Sequence, residues 1–169
     1  SNLKKISNSL KQEQNKYNIF LCGGDTVKSN KLSFTITTIG FAKKIVFRNN
    51  AQINDDIYVT GTLGDSYIGL KVLKKKIKTN SSLKKYFITK YYLPNLHIKL
   101  TNRFLDFANT SIDISDGLIA DLEKLLNKQE LSYKLNLESI PISSNLKKLI
   151  LQKKLDKISC VTQGDDYQI

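Results

Sequence analysis

The chain has 169 residues, 40% of them hydrophobic and 25% charged, enough for a soluble protein that buries a core as one domain or as parts of two. Its net charge is +12, but only Arg48 and Arg103 among the 27 basic residues are arginine, and the lysines are spread along the chain rather than gathered on one face. Nucleic-acid contacts favour the forked donors of arginine, so no nucleic-acid partner is expected.

No apolar run approaches the ~20 residues that span a bilayer and no signal-peptide pattern opens the chain, so no membrane partner is expected and the default location is cytoplasmic. Cys22, Cys160 and His97 are isolated and make no metal-binding cluster of the Cys/His type. There is no methionine, even at position 1, and the C-terminal "GDDYQI" reads as the opening of a strand. These features suggest an internal piece of a longer protein.

Leu3, Ile6 and Leu10 recur at helical spacing, so 2–16 reads as an amphipathic helix. Short strands are predicted at 17–22 and 31–41, where Leu32, Phe34 and Ile36 alternate with polar residues, and 43–48 reads as extended. The polar stretch 49–56 is the expected domain boundary. A strand at 57–60 leads into a Gly-rich turn, with Asp65 or Ser66 capping the next helix. Helices follow at 82–92 and 95–108, with Pro94 at their junction. Residues 111–128 read as a strand turning sharply into a helix that carries Leu118, Leu122 and Leu125 inward. A strand at 133–140, a helix at 143–155 and a strand, turn and strand onset at 157–169 complete the chain. Strands and helices intermix without a regular βαβ rhythm, so the predicted class is α+β.

Three carboxylate-bearing turns stand out. In "GGDT", 23–26, consecutive glycines let backbone N–H groups converge on an anion. A carboxylate there suits a hard cation placed between it and a phosphate; taken alone, the motif reads first as an ordinary turn with an Asx hydrogen bond. In "IDISDG", 112–117, Asp113 and Ser115 share one face of an extended segment between two isoleucines, and Asp116 opens a helix. Asp113 needs a partner there, which a Mg²⁺ ion or a backbone turn could supply. In "QGDDYQI", 163–169, Asp165 and Asp166 follow a glycine, which alone reads as a polar turn.

Taken in order, these motifs resemble the thiamine-monophosphate kinase family. The matching pieces are "GGDT", the strand ending in "IGF", Arg48 ahead of "IYVTGTLGDS", then "IDISDGLIADL" and "QGDDYQI". The resemblance implies a member of the aminoimidazole ribonucleotide synthetase-like superfamily. Residues 1–52 would close an N-terminal ATP-binding domain and 53–169 would begin an incomplete α/β C-terminal domain. It also implies ATP as co-substrate, several Mg²⁺ ions, thiamine monophosphate as acceptor and a homodimer formed through the N-terminal domains. On that pattern Gly24, Arg48 and Ser115 would contact ATP, Asp25, Asp113 and Asp116 would ligate Mg²⁺, and Asp165 would contact the thiamine substrate. Asp165 departs from the family's usual Glu, and Gln163 stands where a glycine is usual.

The implied reaction is in-line transfer of the ATP γ-phosphoryl group to thiamine monophosphate, giving thiamine diphosphate. It needs positioning and charge neutralisation rather than a catalytic base. Family metal-binding motifs outside this chain would leave the piece itself inactive. Alternatives are another ATP-using superfamily member, such as a purine-pathway synthetase, or a non-catalytic phosphate- or nucleic-acid-binding module.

Overall fold

The structure, a computed structural model, describes residues 2–42 and 44–169. It comprises two compact units, Ser1–Phe41 and Ala42–Ile169. In the first, α1 (Asn2–Tyr17) matches the amphipathic helix read from the sequence, but none of its residues is buried. Beyond Asn18 the backbone runs without regular structure, and Phe20, Leu32, Phe34, Ile36 and Phe41 are all exposed.

The second unit contains α2 (Asp65–Leu73), α3 (Ser81–Tyr92), α4 (Thr101–Phe107), α5 (Leu118–Leu125), α6 (Ser144–Lys153) and α7 (Lys157–Val161), with 3₁₀ turns at Ile98–Leu100 and Leu137–Ser139. Several of the helix starts are set by side chains. Asn80 accepts from the Leu83 N–H ahead of α3, and Ser143 accepts from the Leu146 N–H ahead of α6. Such caps satisfy backbone donors that a helix's first turn leaves free. Helices α2, α3, α6 and α7 meet in a core of Ile68, Val72, Phe87, Leu146, Leu149 and Cys160. Gly69 lets α2 and α3 pack closely, since a Cβ there would collide with the Phe87 carbonyl and the Tyr91 side chain. A second cluster of Leu63, Ile114, Leu118 and Val161 lies under the turn before α5.

The α+β expectation is not met. The described residues are mostly helical and contain no β-strand, only an isolated antiparallel bridge between Ile114 and Gln168. The segments at 17–22, 31–41, 44–48 and 57–60 lie without ladder partners, and Lys43, which opens the third predicted extended piece, lies outside the described residues. Alternation specifies which face a strand would bury, but a strand exists only where a neighbour completes its hydrogen bonds. At 157–161 the strand reading fails for a local reason: both oxygens of Asp156 accept from the Ile158 and Ser159 N–H groups and start α7 instead. Cys160 on that helix is buried, and burial together with the Asp156 charge pushes its thiol up to about 11. No described helix is long and apolar enough to cross a membrane.

Urea unfolding distinguishes the packed helices from the unpartnered alternating segment. Leu149→Ala, at a fully buried position, should cost about 2–5 kcal/mol. Phe34→Ala, at an exposed position, should fall within about 0.5 kcal/mol of the parent chain. Equal losses at the two positions would show that the 31–41 segment is packed.

Candidate functional site

The turn before α5 is built around a carboxylate absent from the sequence-predicted set. Asp121 is 1% exposed, and its Oδ2 accepts from the backbone N–H groups of Ser115, Asp116 and Gly117 at 2.9, 2.8 and 3.1 Å. Its Oδ1 accepts from Lys124 Nζ at 2.8 Å. Burial alone would raise the Asp121 carboxyl, but the Lys124 ammonium and the three N–H donors outweigh it and hold the group below the usual range. Gly117, at φ 122°, completes the turn where a Cβ would strike the Thr162 carbonyl.

With the backbone donors of the turn directed at Asp121, the other two carboxylates point outward. Asp113 and Asp116 are both exposed and both meet a cation. Arg48 approaches Asp113 Oδ1 at 3.2 Å, and Lys124 is also paired with Asp116. The Arg48–Asp113 pair borders a shallow groove of about 330 Å³ that is also lined by Val46, Phe104, Ser111 and Ile169.

The C-terminal segment is laced to the same turn. The Asp165 N–H donates to the Ser115 carbonyl at 2.9 Å, the Tyr167 N–H to the Ile114 carbonyl at 2.9 Å, and the Ile114 N–H to the Gln168 carbonyl at 2.7 Å. These bonds set Asp165 beside Ser115 and Asp116. Asp165 and Tyr167 both adopt positive φ, at 68° and 51°. Asp166 between them points the other way, toward the start of α2, where its oxygens accept from the Gly64 and Ser66 N–H groups at 2.7 and 3.3 Å.

That contact corrects the predicted cap. Neither Asp65 nor Ser66 caps α2; Gly64 occupies the cap position at φ 89° without a side-chain bond, and the distant Asp166 serves the free donors. Asp65 is instead buried, accepting from the Ser143 hydroxyl at 2.7 Å and the Tyr86 hydroxyl at 2.8 Å. Burial raises its carboxyl against those hydrogen bonds. Asp166 is 4% exposed. Burial, with the Asp65 and Asp165 charges adding to it, pushes its carboxyl up to about 7 although the Gly64 and Ser66 N–H groups oppose the shift.

Arg48, Asp113, Ser115, Asp116 and Asp165 therefore all lie on one stretch of the second unit. Gly24 and Asp25 belong to the first. There Asp25 accepts from its neighbour's N–H, that of Thr26, at 2.7 Å, and the space where a Gly24 Cβ would project is open. Among the described residues no group of three or more His, Cys, Asp or Glu side chains is placed to hold a metal. Asp113 and Asp116 are the exposed carboxylates of this turn that could serve as ligands to Mg²⁺, which takes one or two carboxylates and completes its shell with water and substrate phosphate.

The sequence and the fold of the chain are similar to those of known proteins. No protein-family model matches the chain. A thiamine-monophosphate kinase from Buchnera aphidicola of Acyrthosiphon pisum is 45% identical over 147 residues, which cover 85% of this chain and 45% of that protein. The Escherichia coli K12 thiamine-monophosphate kinase is 32% identical over 170 residues, covering 99% of this chain and 52% of that one. The chain is homologous to the thiamine-monophosphate kinases. It spans about half the length of these relatives. The crystal structure of the Aquifex aeolicus thiamine monophosphate kinase superposes with a TM-score of 0.68 at 31% identity, over 75% of this chain and 43% of that one. A structure of AaThiL complexed with AMPPCP and TMP gives 0.66 at 31% identity, over 73% and 40%.

Asp121 has a clear stability signature. Asp121→Ala should destabilise the chain at neutral pH by about 1–3 kcal/mol, because buried N–H groups lose their acceptor. The parent's carboxylate is held below its ordinary 3.8, so its contribution is present above that value and lost as pH falls through the lower folded value. The gap between parent and variant, measured by urea melts at pH 7 and pH 3, should therefore narrow in acid.

Proposed function

We propose that this chain is part of an enzyme that transfers the γ-phosphoryl group of ATP to thiamine monophosphate. The observation that carries the reading is the placement of Arg48, Asp113, Ser115, Asp116 and Asp165 on one surface, in a chain homologous to thiamine-monophosphate kinases. In the whole protein, residues 1–52 would complete an ATP-binding domain and 53–169 would open the second domain.

The roles follow from chemistry. Arg48 uses one donor on Asp113 and retains others for the nucleotide phosphates. The Ser115 hydroxyl can donate to ATP, and Gly24 in the first unit allows close approach of backbone to phosphate. Asp113 and Asp116, and separately Asp25 in the first unit, would ligate Mg²⁺, which when bound neutralises charge on the transferring phosphoryl group. Asp165, whose N–H donates to the Ser115 carbonyl, would orient the thiamine substrate from beside that turn. A phosphate monoester acceptor is largely ionised near neutral pH, its second pKa being about 6, so no general base is required. The exposed apolar residues between Phe20 and Phe41 would be covered in the whole protein by further chain or by a second subunit, consistent with a homodimer.

The direct experiment is an assay of the full-length protein with ATP and thiamine monophosphate. Thiamine diphosphate formation supports the reading, and a protein that uses ATP only with another acceptor contradicts it. The isolated 169-residue chain should be inactive and should bind hydrophobic dyes.

Asp113→Asn separates metal binding from structure. Arg48 and Asp113 are 57% and 47% exposed, so their ion pair contributes at most about 0.2–1 kcal/mol and the apo melt should hardly move. Activity of the full-length variant should fall steeply and recover in part as Mg²⁺ is raised, since a weakened site still fills by mass action. An apo-state loss of several degrees with an unchanged Mg²⁺ requirement would make Asp113 a structural residue.

A further inference from the structure

Asp166 belongs to none of the roles above, yet it joins two motifs that lie about a hundred residues apart, as the separation of 102 to Gly64 shows. Its backbone continues the segment that carries Asp165, and its carboxylate grips the α2 start. Four groups that carry or can carry charge surround it: Asp65 from α2, Lys90 from α3, His97 from the segment before the 3₁₀ turn, and Asp165 from its own strand of chain. The first three of these and Asp166 itself, with Thr62, Ser66, Asn95 and Gln168, line a cleft of about 180 Å³. Nothing in this cleft neutralises Asp166 by direct ion pairing; its partners are two backbone N–H groups.

A helix N-terminus can be capped by any Ser, Thr, Asn or Asp next to it. Here the cap position is a glycine and the acceptor comes from the far end of the chain. A buried, unpaired carboxylate is a poor device for stability alone. What it does achieve is orientation. The 164–168 segment is held on one side by backbone bonds to Ile114 and Ser115 and on the other by Asp166 to Gly64 and Ser66. Asp165, one residue away, has its positive-φ backbone fixed by both.

We infer that Asp166 is a positioning residue for the acceptor substrate: its ionised carboxylate clamps the substrate-contacting loop to the start of α2 and so aims Asp165. The inference rests on the proposed kinase reading. Protonation converts one of its two acceptor oxygens into a hydroxyl, a much weaker acceptor, and so weakens the grip on one of the two N–H groups. The clamp then loosens while the fold gains. The folded carboxyl titrates near 7 against an ordinary 3.8, so its contribution to stability is fully present below 3.8 and is lost as pH rises through about 7. Substrate affinity and fold stability should therefore move in opposite directions between pH 8 and pH 6.

The test has two arms. In the 169-residue chain, the backbone amide resonances of Gly64 and Ser66 are followed by NMR from pH 5 to pH 9. A shared midpoint near 7, absent in Asp166→Asn and retained in His97→Asn, is the expected result. In the full-length protein, Asp166→Asn should raise KM for thiamine monophosphate about ten- to a hundred-fold at pH 8, with kcat and the ATP KM little changed. The ratio of variant to parent KM should shrink toward one at pH 6, where the parent is itself protonated; the ratio cancels ionisation of the substrate's own phosphate. Gly64 and Ser66 amide resonances that Asp166→Asn leaves unchanged at every pH overturn the clamp. A variant that loses melting temperature, kcat and both affinities together shows Asp166 to be a structural cap only. A full-length protein that never phosphorylates thiamine monophosphate overturns the proposed function and the substrate half of this inference, while the amide titrations still decide whether the clamp exists.

Discussion

Backbone donors in tight turns must find acceptors, and in the second unit two buried carboxylates supply them. Asp121 satisfies three successive N–H groups at 115–117, and Asp166 satisfies two at the start of α2. A buried, unpaired N–H costs as much as a lost hydrogen bond, so these turns could not take their shapes without such partners. The choice of acceptor also decides the electrostatics outside. Because the amides of the 115–117 turn face inward to Asp121, they form no anion nest for an external phosphate. The outer surface of that turn is left to Asp113, Ser115 and Asp116.

That surface is electrostatically primed for exchange. Each outward carboxylate already draws a cation from the chain, Arg48 for Asp113 and Lys124 for Asp116. Exposed pairs of this kind are weak, so on the proposed reading a divalent ion would displace them at small cost and release the guanidinium toward phosphate. Lys124 is shared with the buried Asp121, which ties the outer charge balance to the inner support of the turn. The geometry thus connects a buried structural carboxylate to an exposed chemical one through a single ammonium group.

Much of this was legible from residue order. The helix at 2–16, signalled by the spacing of its apolar residues, and those read at 82–92 and 143–155 are present. The sheet was not, because alternation in "KLSFTITTIGF" names a face but cannot supply the partner strand. The α7 helix was missed because Asp156 caps it over so short a stretch that periodicity had nothing to register. Of the site, the exposed carboxylates stood out because Asp113 interrupts isoleucines. Asp121 carried a signal that went unused: it falls on the same helical face as Leu118, Leu122 and Leu125, where a charge needs a buried partner. Asp166 carried none, since no local pattern links it to a helix a hundred residues earlier.

The account turns on whether the outward carboxylates exchange their cations for a metal. A crystal structure of the full-length protein with Mg²⁺ and a non-hydrolysable ATP analogue measures this directly. The predicted result has Asp113 and Asp116 oxygens about 2.0–2.1 Å from Mg²⁺, Arg48 turned from Asp113 to the phosphates, and the three N–H bonds to Asp121 unchanged. A nucleotide bound elsewhere, with the Arg48–Asp113 and Lys124–Asp116 pairs intact, would contradict it.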